Sequence, residues 1–381
     1  MFWNRSFLPR IGGVEIFTAR LAEGLMASGH KVAIVTGGED ESEADVLPGV
    51  VVASFRFLDA LRPGTANAGE RLRLTGEIAS AIAAFKMSFR PDIVHVNFCD
   101  AIPFFHLRSL DAHPAATVVT FQTALEQPVS GTKGVVGALI HHAGSLVAVS
   151  QAAAANIARF TTVPQDRIEI IHPGIPARHF TGPNSREPAI GPPVIGFLGR
   201  LVEEKGVQIA LRALARIGNQ ARLLVIGDGV FRADLEALAG ALDVAHLVIF
   251  TGLVDDAERR RLLRQCRALV VPSLHEELFG MVAAEGALAG LPVIASAVGG
   301  LREIVSPGET GFLFHAGDVA ALESHMRSLI EDAALAHRMG LAGRERALAR
   351  YTIETTVARY EAVYTGCITA SQAGQRIVAD A

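Results

Sequence analysis

The feature that most constrains this 381-residue chain is an alternation, from end to end, of short apolar β-branched runs with helix-patterned stretches. In the first half the runs are Val32–Thr36, Val50–Phe55, Ile93–Val96, Thr117–Phe121, Leu146–Val149 and Ile168–Ile171. Helical patterns between them are clearest at Glu15–Ser28, Gly69–Phe89 and Gln151–Phe160. The second half repeats the scheme with Val194–Leu198, Arg222–Ile226, Leu247–Phe250, Ala268–Val271, Val293–Ala295 and Gly311–Phe314. A strand buried on both faces is apolar throughout instead of alternating, and parallel strands need crossover helices. The pattern therefore predicts α/β architecture with parallel sheets covered on both faces. Many of the runs end in Gly, Ser or Thr, where an open α/β sheet places its ligand-binding loops.

The alternation breaks once. Residues 181–193, TGPNSREPAIGPP, hold four prolines and two glycines with no apolar period, and read as a linker. The expected organisation is two Rossmann-like, doubly wound domains facing each other across a cleft, residues 1–185 and 186–352. A closing helix follows over 353–366, its pattern running from about Ile353 to Thr365, and residues 366–381 read as a frayed tail. With 50% hydrophobic and 19% charged residues, the chain has material for two cores.

Composition excludes several classes. A net charge of −4 gives no field for nucleic acid. Cys99, Cys266 and Cys367 are far apart and odd in number, which argues against a disulfide framework or a zinc site and fits a reducing cytoplasm. Residues 1–13 lack a signal-peptide run, and no stretch reaches about 18 uncharged apolar residues. A cytoplasmic protein is expected, with peripheral membrane contact left open. One feature fits poorly: the opening strand of the first domain should precede Gly12-Gly13, yet only Met1–Leu8 is available and it contains Asn4 and Arg5. The expectation is a stunted strand with unpaired neighbours, or a start upstream of Met1.

The segment Gly196–Gly206 carries the densest chemistry. A strand ends at Leu198, Gly199 permits a tight turn, and Arg200 and Lys205 precede a helix beginning near Gly206. Two cations beside a helix N-terminus suit a diphosphate, although such charges on a loop are also commonly just solvated. The segment from Val271 leads through Pro272, Ser273, Glu277, Phe279, Gly280 and Met281 into a helix containing Glu285. Glu277 and Glu285 are eight apart, about two helical turns. Their carboxylates suit sugar hydroxyls, and the leading amides of Phe279, Gly280 and Met281 suit phosphate. The plainer alternative is a capping glutamate and an ordinary helix glutamate.

Together, Gly12-Gly13-Val14-Glu15, Gly199-Arg200 with Lys205-Gly206, Pro272-Ser273 with Glu277-x7-Glu285, and Gly299-Gly300 resemble the family-four retaining glycosyltransferases, of GT-B fold. The resemblance covers about residues 8–366, and the order and spacing of the motifs make it specific. It implies a metal-independent transfer of sugar from a nucleoside-diphosphate sugar, UDP- or GDP-linked, to a glycan, lipid-linked or small-molecule acceptor. By the same resemblance Gly12 and Gly13 lie against the donor phosphates, and Arg200 and Lys205 bind the diphosphate. Glu277 contacts the transferred sugar, Glu285 the ribose, and the closing helix crosses back to the first domain.

Two departures stand out. Such proteins often carry a histidine after the fourth strand of the first domain, where this chain has Gln122, able to hydrogen-bond a hydroxyl but not to carry a proton. The segment Ile171–Pro176 replaces the Pro-Asn-Gly-Val-Asp common there. No Asp-x-Asp occurs, which removes the usual sign of a metal-held sugar diphosphate. His141-His142 lacks a third ligand nearby, and Gly227-Asp228-Gly229 is too short for a dinucleotide fingerprint. An epimerase or phosphorylase of the same fold, and a non-catalytic nucleotide-sugar binder, remain the rivals. Incubation with nucleotide sugars alone separates the enzymes.

Overall fold

The computed structural model describes residues 1–8, 12–37, 47–61, 67–98, 103–129, 131, 134–180 and 191–373. The acidic run 39–43, Cys99 and most of the linker lie outside the described residues. The chain divides into two compact units, residues 1–174 with 353–381, and residues 175–352. The division at 174/175 precedes the 185/186 boundary read from the linker. The segment from Ile175 joins the second unit, where the Ile175 N–H donates to the Tyr351 carbonyl at 2.9 Å.

The first unit holds β1 (Phe2–Trp3), β2 (Ala33–Gly37), β3 (Val51–Phe55), β4 (Ile93–Phe98), β5 (Ala116–Phe121), β6 (Ser145–Ala148) and β7 (Ile168–Ile170). They form one parallel sheet in the order β3-β2-β1-β4-β5-β6-β7. Its helices include α1 (Gly13–Ala27), α2 (Phe57–Leu61), α3 (Ala68–Phe89), α4 (Pro103–Arg108), α5 (Gly134–His142) and α6 (Gln151–Phe160). The second unit carries β8 (Val194–Leu198), β9 (Arg222–Ile226), β10 (Val248–Gly252), β11 (Ala268–Val271), β12 (Val293–Ser296) and β13 (Gly311–Phe314) in the order β10-β9-β8-β11-β12-β13, all parallel. Its helices include α7 (Val207–Ile217), α8 (Arg232–Ala241), α9 (Asp256–Gln265), α10 (Met281–Leu288), α11 (Leu301–Ile304), α12 (Val319–Glu331) and α13 (Ala333–Arg350). Every apolar run of the sequence forms a strand. Strand order reverses direction between β1 and β4 and again between β8 and β11, and such switch points are where open α/β sheets bind ligands.

The opening strand corrects the expectation of unpaired neighbours. β1 is short but lies between β2 and β4, with Phe2 and Trp3 buried. Pairing extends past both its ends: the His95 N–H donates to Met1 O at 2.8 Å, the Asn4 N–H to Val35 O at 3.0 Å, and the Gly37 N–H to Arg5 O at 3.2 Å. Asn4, which looked foreign to a buried strand, places its amide in a hydrogen-bonded network described below.

The last helix, α14 (Ile353–Gln372), belongs to the first unit and runs past the Thr365 end expected from the sequence. Tyr360, Tyr364 and Cys367 repeat at helical spacing and carry the inward face past Thr365. The Tyr364 hydroxyl is 2.6 Å from His95 Nδ1, and His95 Nε2 is 2.7 Å from Thr120 Oγ1, itself 3.0 Å from the Tyr360 hydroxyl. No helix among the described residues is long and apolar enough to cross a membrane.

The buried histidines of this unit give it a pH dependence. Burial pushes the His95 imidazole down to about 3. His106 is also held well below its ordinary value, by burial first and then by the charges of Lys86 and His142. Below an unfolded-state value near 6.5 the unfolded chain takes up protons that the folded unit refuses. The stability that His95 contributes is therefore fully present above about pH 6.5 and is lost toward pH 3, at about 1.4 kcal/mol per pH unit, and His106 acts in the same direction. Urea unfolding at pH 5 is expected to show about 2 kcal/mol less stability from His95 than at pH 7.5, with a further loss of the same sign from His106. A flat profile between those values would refute this account.

Candidate functional site

In the second unit the candidate residues gather beyond the carboxyl ends of β8 and β11, the strands of the switch point. After β8 the chain turns at Gly199, and the Leu201 N–H donates to Asp228 O at 2.9 Å. This lays the Arg200 loop along the segment that follows β9. Arg200 itself is exposed, with no side-chain partner among the described residues. A 3-10 turn, Glu203–Lys205, then leads through Gly206 into α7. Gly206 has φ +75°, and a Cβ there would lie 1.8 Å from the Pro272 carbonyl oxygen. Only glycine allows the turn to sit this close to the loop after β11. The Leu274 N–H fixes the approach by donating to Glu204 O at 2.8 Å.

That approach brings Lys205 to Glu277. Lys205 Nζ donates to Glu277 Oε1 at 2.5 Å, and Ser273 Oγ donates to the same oxygen at 2.7 Å. Both charged side chains are partly exposed, 28% for Lys205 and 19% for Glu277. The pair is thus reachable by a ligand. Glu277 Oε2 has no partner among the described residues. The Glu277 backbone is anchored from behind, where the Gly300 N–H donates to its carbonyl at 2.7 Å.

Glu277 stands just ahead of α10. Phe279 is buried against Tyr351, ring centroids 5.4 Å apart, and Gly280 caps the helix with φ +102°. Ala283 and Ala284 both donate back to Gly280 O. Helix geometry leaves the N–H groups of Gly280, Met281 and Val282 without intrahelical acceptors, so this end of α10 offers donors and a positive dipole end. Glu285 lies farther along α10 and is 6% exposed, with Oε2 3.5 Å from Arg259 Nε of α9. Arg259 also reaches Asp256 at 3.1 Å.

Arg259 carries no motif of its own, and Ser273 and the Asp228 loop stand in the sequence without their contacts to Glu277 and Leu201. A signal for Arg259 was present, since it shares a helix face with Leu262 and Leu263 by its spacing and so turns a cation inward.

In the first unit, Gly12 is the extended N-cap of α1 and Gly13 its first residue. Glu15, in the first turn, accepts from Ser6 Oγ at 2.5 Å. Gln122 follows β5 and donates from Nε2 to Asn97 Oδ1 at 2.8 Å. Asn97 Nδ2 in turn donates to Asn4 Oδ1 at 2.7 Å and to Thr18 Oγ1 at 2.9 Å. Thr18 belongs to α1, so this network joins Gln122 to the helix that Gly12 caps. A cavity of about 920 Å³ also lies in this unit, lined among others by Ile140, Leu146, Val363 and Cys367. None of the candidate residues borders it. No cluster of metal-ligating side chains occurs among the described residues.

Residues 11–179 match the family described as Glycosyltransferase Family 4, and residues 183–346 match Glycosyl transferases group 1. The chain is 30% identical to a protein named glycogen synthase from Mycobacterium tuberculosis over a 389-residue alignment, covering 93% of this chain and 91% of that one. It is 28% identical to a phosphatidyl-myo-inositol mannosyltransferase of Mycobacterium leprae, covering 93% and 92%. Among solved structures, Anabaena HepE in complex with UDP and glucose superposes with a TM-score of 0.77 at 20% identity, over 96% of this chain and 98% of that one. With two doubly wound units, motifs in family order and these matches, the chain belongs to the family-four glycosyltransferases, of GT-B fold.

Proposed function

We propose that this protein is a retaining transferase that moves a sugar from a UDP- or GDP-linked donor to a glycan, lipid-linked or small-molecule acceptor. The observation that carries the reading is the contact of Lys205 with Glu277 at the β8–β11 switch point, ahead of the α10 N-terminus. Breaking the bond between the anomeric carbon and the phosphate oxygen puts negative charge on the departing diphosphate. Arg200, Lys205 and the amides of Gly280 and Met281 are the groups suited to stabilise it. The charge is met by side chains and amides, so no step calls on a metal ion or other cofactor. Glu277 Oε2 is the acceptor for a hydroxyl of the transferred sugar, while Lys205 and Ser273 hold its other oxygen. Glu285, braced by Arg259, is assigned to the ribose. In the first unit, Gly12 and Gly13 are assigned to the donor phosphates and Gln122 to a sugar hydroxyl.

The acceptor hydroxyl attacks the anomeric carbon on the face the diphosphate leaves, and the leaving phosphate oxygen takes its proton. No residue of the chain is assigned as a nucleophile. The Anabaena neighbour, with UDP and glucose bound, supports a nucleotide-sugar donor, and the mycobacterial relative named for a phosphatidylinositol substrate supports an acceptor at a membrane surface. A cytoplasmic enzyme with peripheral membrane contact fits that reading.

Thermal shift with UDP, GDP and their sugars tests it, because a ligand at 100 times its Kd stabilises the folded state by about 2.7 kcal/mol. Two conservative variants then separate the glutamates. Glu285→Gln is preferred to alanine because it keeps the shape of a buried side chain beside the partly buried Arg259. It is expected to weaken nucleoside diphosphate binding about tenfold, the scale of one charge-assisted hydrogen bond. Glu277→Gln is expected to leave that affinity within a few-fold and to depress turnover. Equal losses of affinity in both would show the roles to be wrongly divided.

A further inference from the structure

The amide network of the first unit has a fixed polarity, and that polarity starts at a backbone carbonyl. Thr18 Oγ1 donates its one hydrogen to Val14 O at 2.9 Å. The same oxygen accepts from Asn4 Nδ2 and Asn97 Nδ2, each at 2.9 Å. A hydroxyl has one donor and two acceptor sites, so Thr18 is saturated. All three polar residues are buried, with Thr18 0%, Asn4 1% and Asn97 1% exposed. Reversing either asparagine amide would set a carbonyl oxygen against a hydroxyl oxygen whose hydrogen is already committed. Burial makes such a mismatch costly.

With its NH2 group turned to Thr18 and Asn4, Asn97 presents Oδ1 to Gln122. Gln122 must answer with its own NH2 group, and does so at 2.8 Å. Its Oε1 is therefore the end turned away from the network, and it has no partner among the described residues. Gln122 is only half-buried, beyond the carboxyl end of β5.

We infer that Thr18, Asn4 and Asn97 are positioning residues that make Gln122 an obligate hydrogen-bond acceptor, so that it selects a donor sugar carrying a hydroxyl at the position it meets. The inference rests on the proposed donor reading, which assigns Gln122 to the transferred sugar. A fluorine at the selected position offers no hydrogen, and so fails Gln122 as fully as a deoxy position does. If Gln122 instead presented its NH2 group, fluorine would be tolerated better than hydrogen.

The experiment measures acceptor-free hydrolysis of UDP-glucose and GDP-mannose, and of their deoxy and fluoro analogues at each ring hydroxyl, by the wild-type chain, Gln122→Ala and Thr18→Val. One position is expected at which the wild type loses about 10- to 100-fold with both analogues, the scale for an unmet half-buried acceptor. At that position Gln122→Ala should discriminate no more than a few-fold. Thr18→Val keeps the side-chain shape but removes the saturated hydroxyl, so the amides of Asn4, Asn97 and Gln122 can reverse together. Its fluoro penalty should fall well below its deoxy penalty. A purely structural role for Thr18 would lower the rates of all the sugars alike and leave these ratios unmoved. Fluorine tolerated and hydrogen rejected in the wild type overturns the inference, as does Gln122→Ala with unchanged selectivity at every position. Those outcomes leave the donor reading standing. Absence of both binding and hydrolysis of either nucleotide sugar overturns the donor reading itself, and the inference with it.

Discussion

Lys205→Ala is expected to cut sugar transfer by about 10²- to 10³-fold, the loss measured elsewhere when one preorganised transition-state contact is removed. Arg200→Ala should fall in the same range. In the proposed mechanism both side chains meet charge that grows as the diphosphate leaves, so the loss belongs mainly to turnover. Stability should change little. Arg200 is exposed, and the Lys205–Glu277 pair is partly open to water, where such contacts contribute about 0–1 kcal/mol. Glu277 would also keep its bond from Ser273. The measurement is kcat and KM for each variant beside its thermal midpoint. Rates within a few-fold of wild type in both variants, with the fold intact, would remove these residues from the mechanism.

The frame of the second unit was legible because its strands are short, mostly apolar runs and Arg200, Lys205 and Glu277 stand at strand-to-helix turns. The spacing also placed Glu277 ahead of α10 and Glu285 within it. Not legible was how close the loops come. Gly227-Asp228-Gly229 was set aside as too short for a dinucleotide fingerprint. Its glycines serve a different purpose, since a Cβ at Gly227 would lie 2.0 Å from Gly199 O and one at Gly229 2.3 Å from Leu201 O. They let one loop lie on another, a contact between segments far apart in sequence that no local pattern records.

The first unit was harder to read for a related reason. Asn4 and Arg5 lowered the apparent strand character of the opening segment, because local propensity counts an asparagine in a buried strand against it. The compensation comes from Thr18 and Asn97, distant in sequence. His95, too, sits inside an apolar run; burial keeps it neutral, and Tyr364 and Thr120 meet its two ring nitrogens. Buried polar residues are paid for by partners, and the partners appear only when the chain is folded. The helix expected to end at Thr365 continues for the same reason: the face beyond it is held by packing, which propensity does not contain.

Gly206→Ala is expected to be the most damaging single methyl in the second unit. Two costs add. The left-handed backbone at φ +75° costs a side-chain-bearing residue about 1–2 kcal/mol. The new Cβ would also stand 1.8 Å from the Pro272 carbonyl oxygen and 2.8 Å from its carbon, both backbone atoms that no rotamer change can move. Relief requires parting the Glu203–Lys205 turn from the loop that carries Ser273 and Glu277, at about 1–3 kcal/mol for such overpacking. The total, roughly 2–5 kcal/mol, corresponds to a fall of about 4–20 °C in the midpoint of a unit this size. Nucleoside diphosphate binding should fail together with stability, since the same movement separates Lys205 from Glu277. Gly218 supplies the control. It has φ +67°, but a Cβ there meets nothing within 4 Å. Gly218→Ala should therefore incur only the backbone cost and leave binding unchanged. Thermal midpoints and nucleotide titrations of the two variants decide the matter, and equal effects in both would mean that the close approach to Pro272 does not hold the site together.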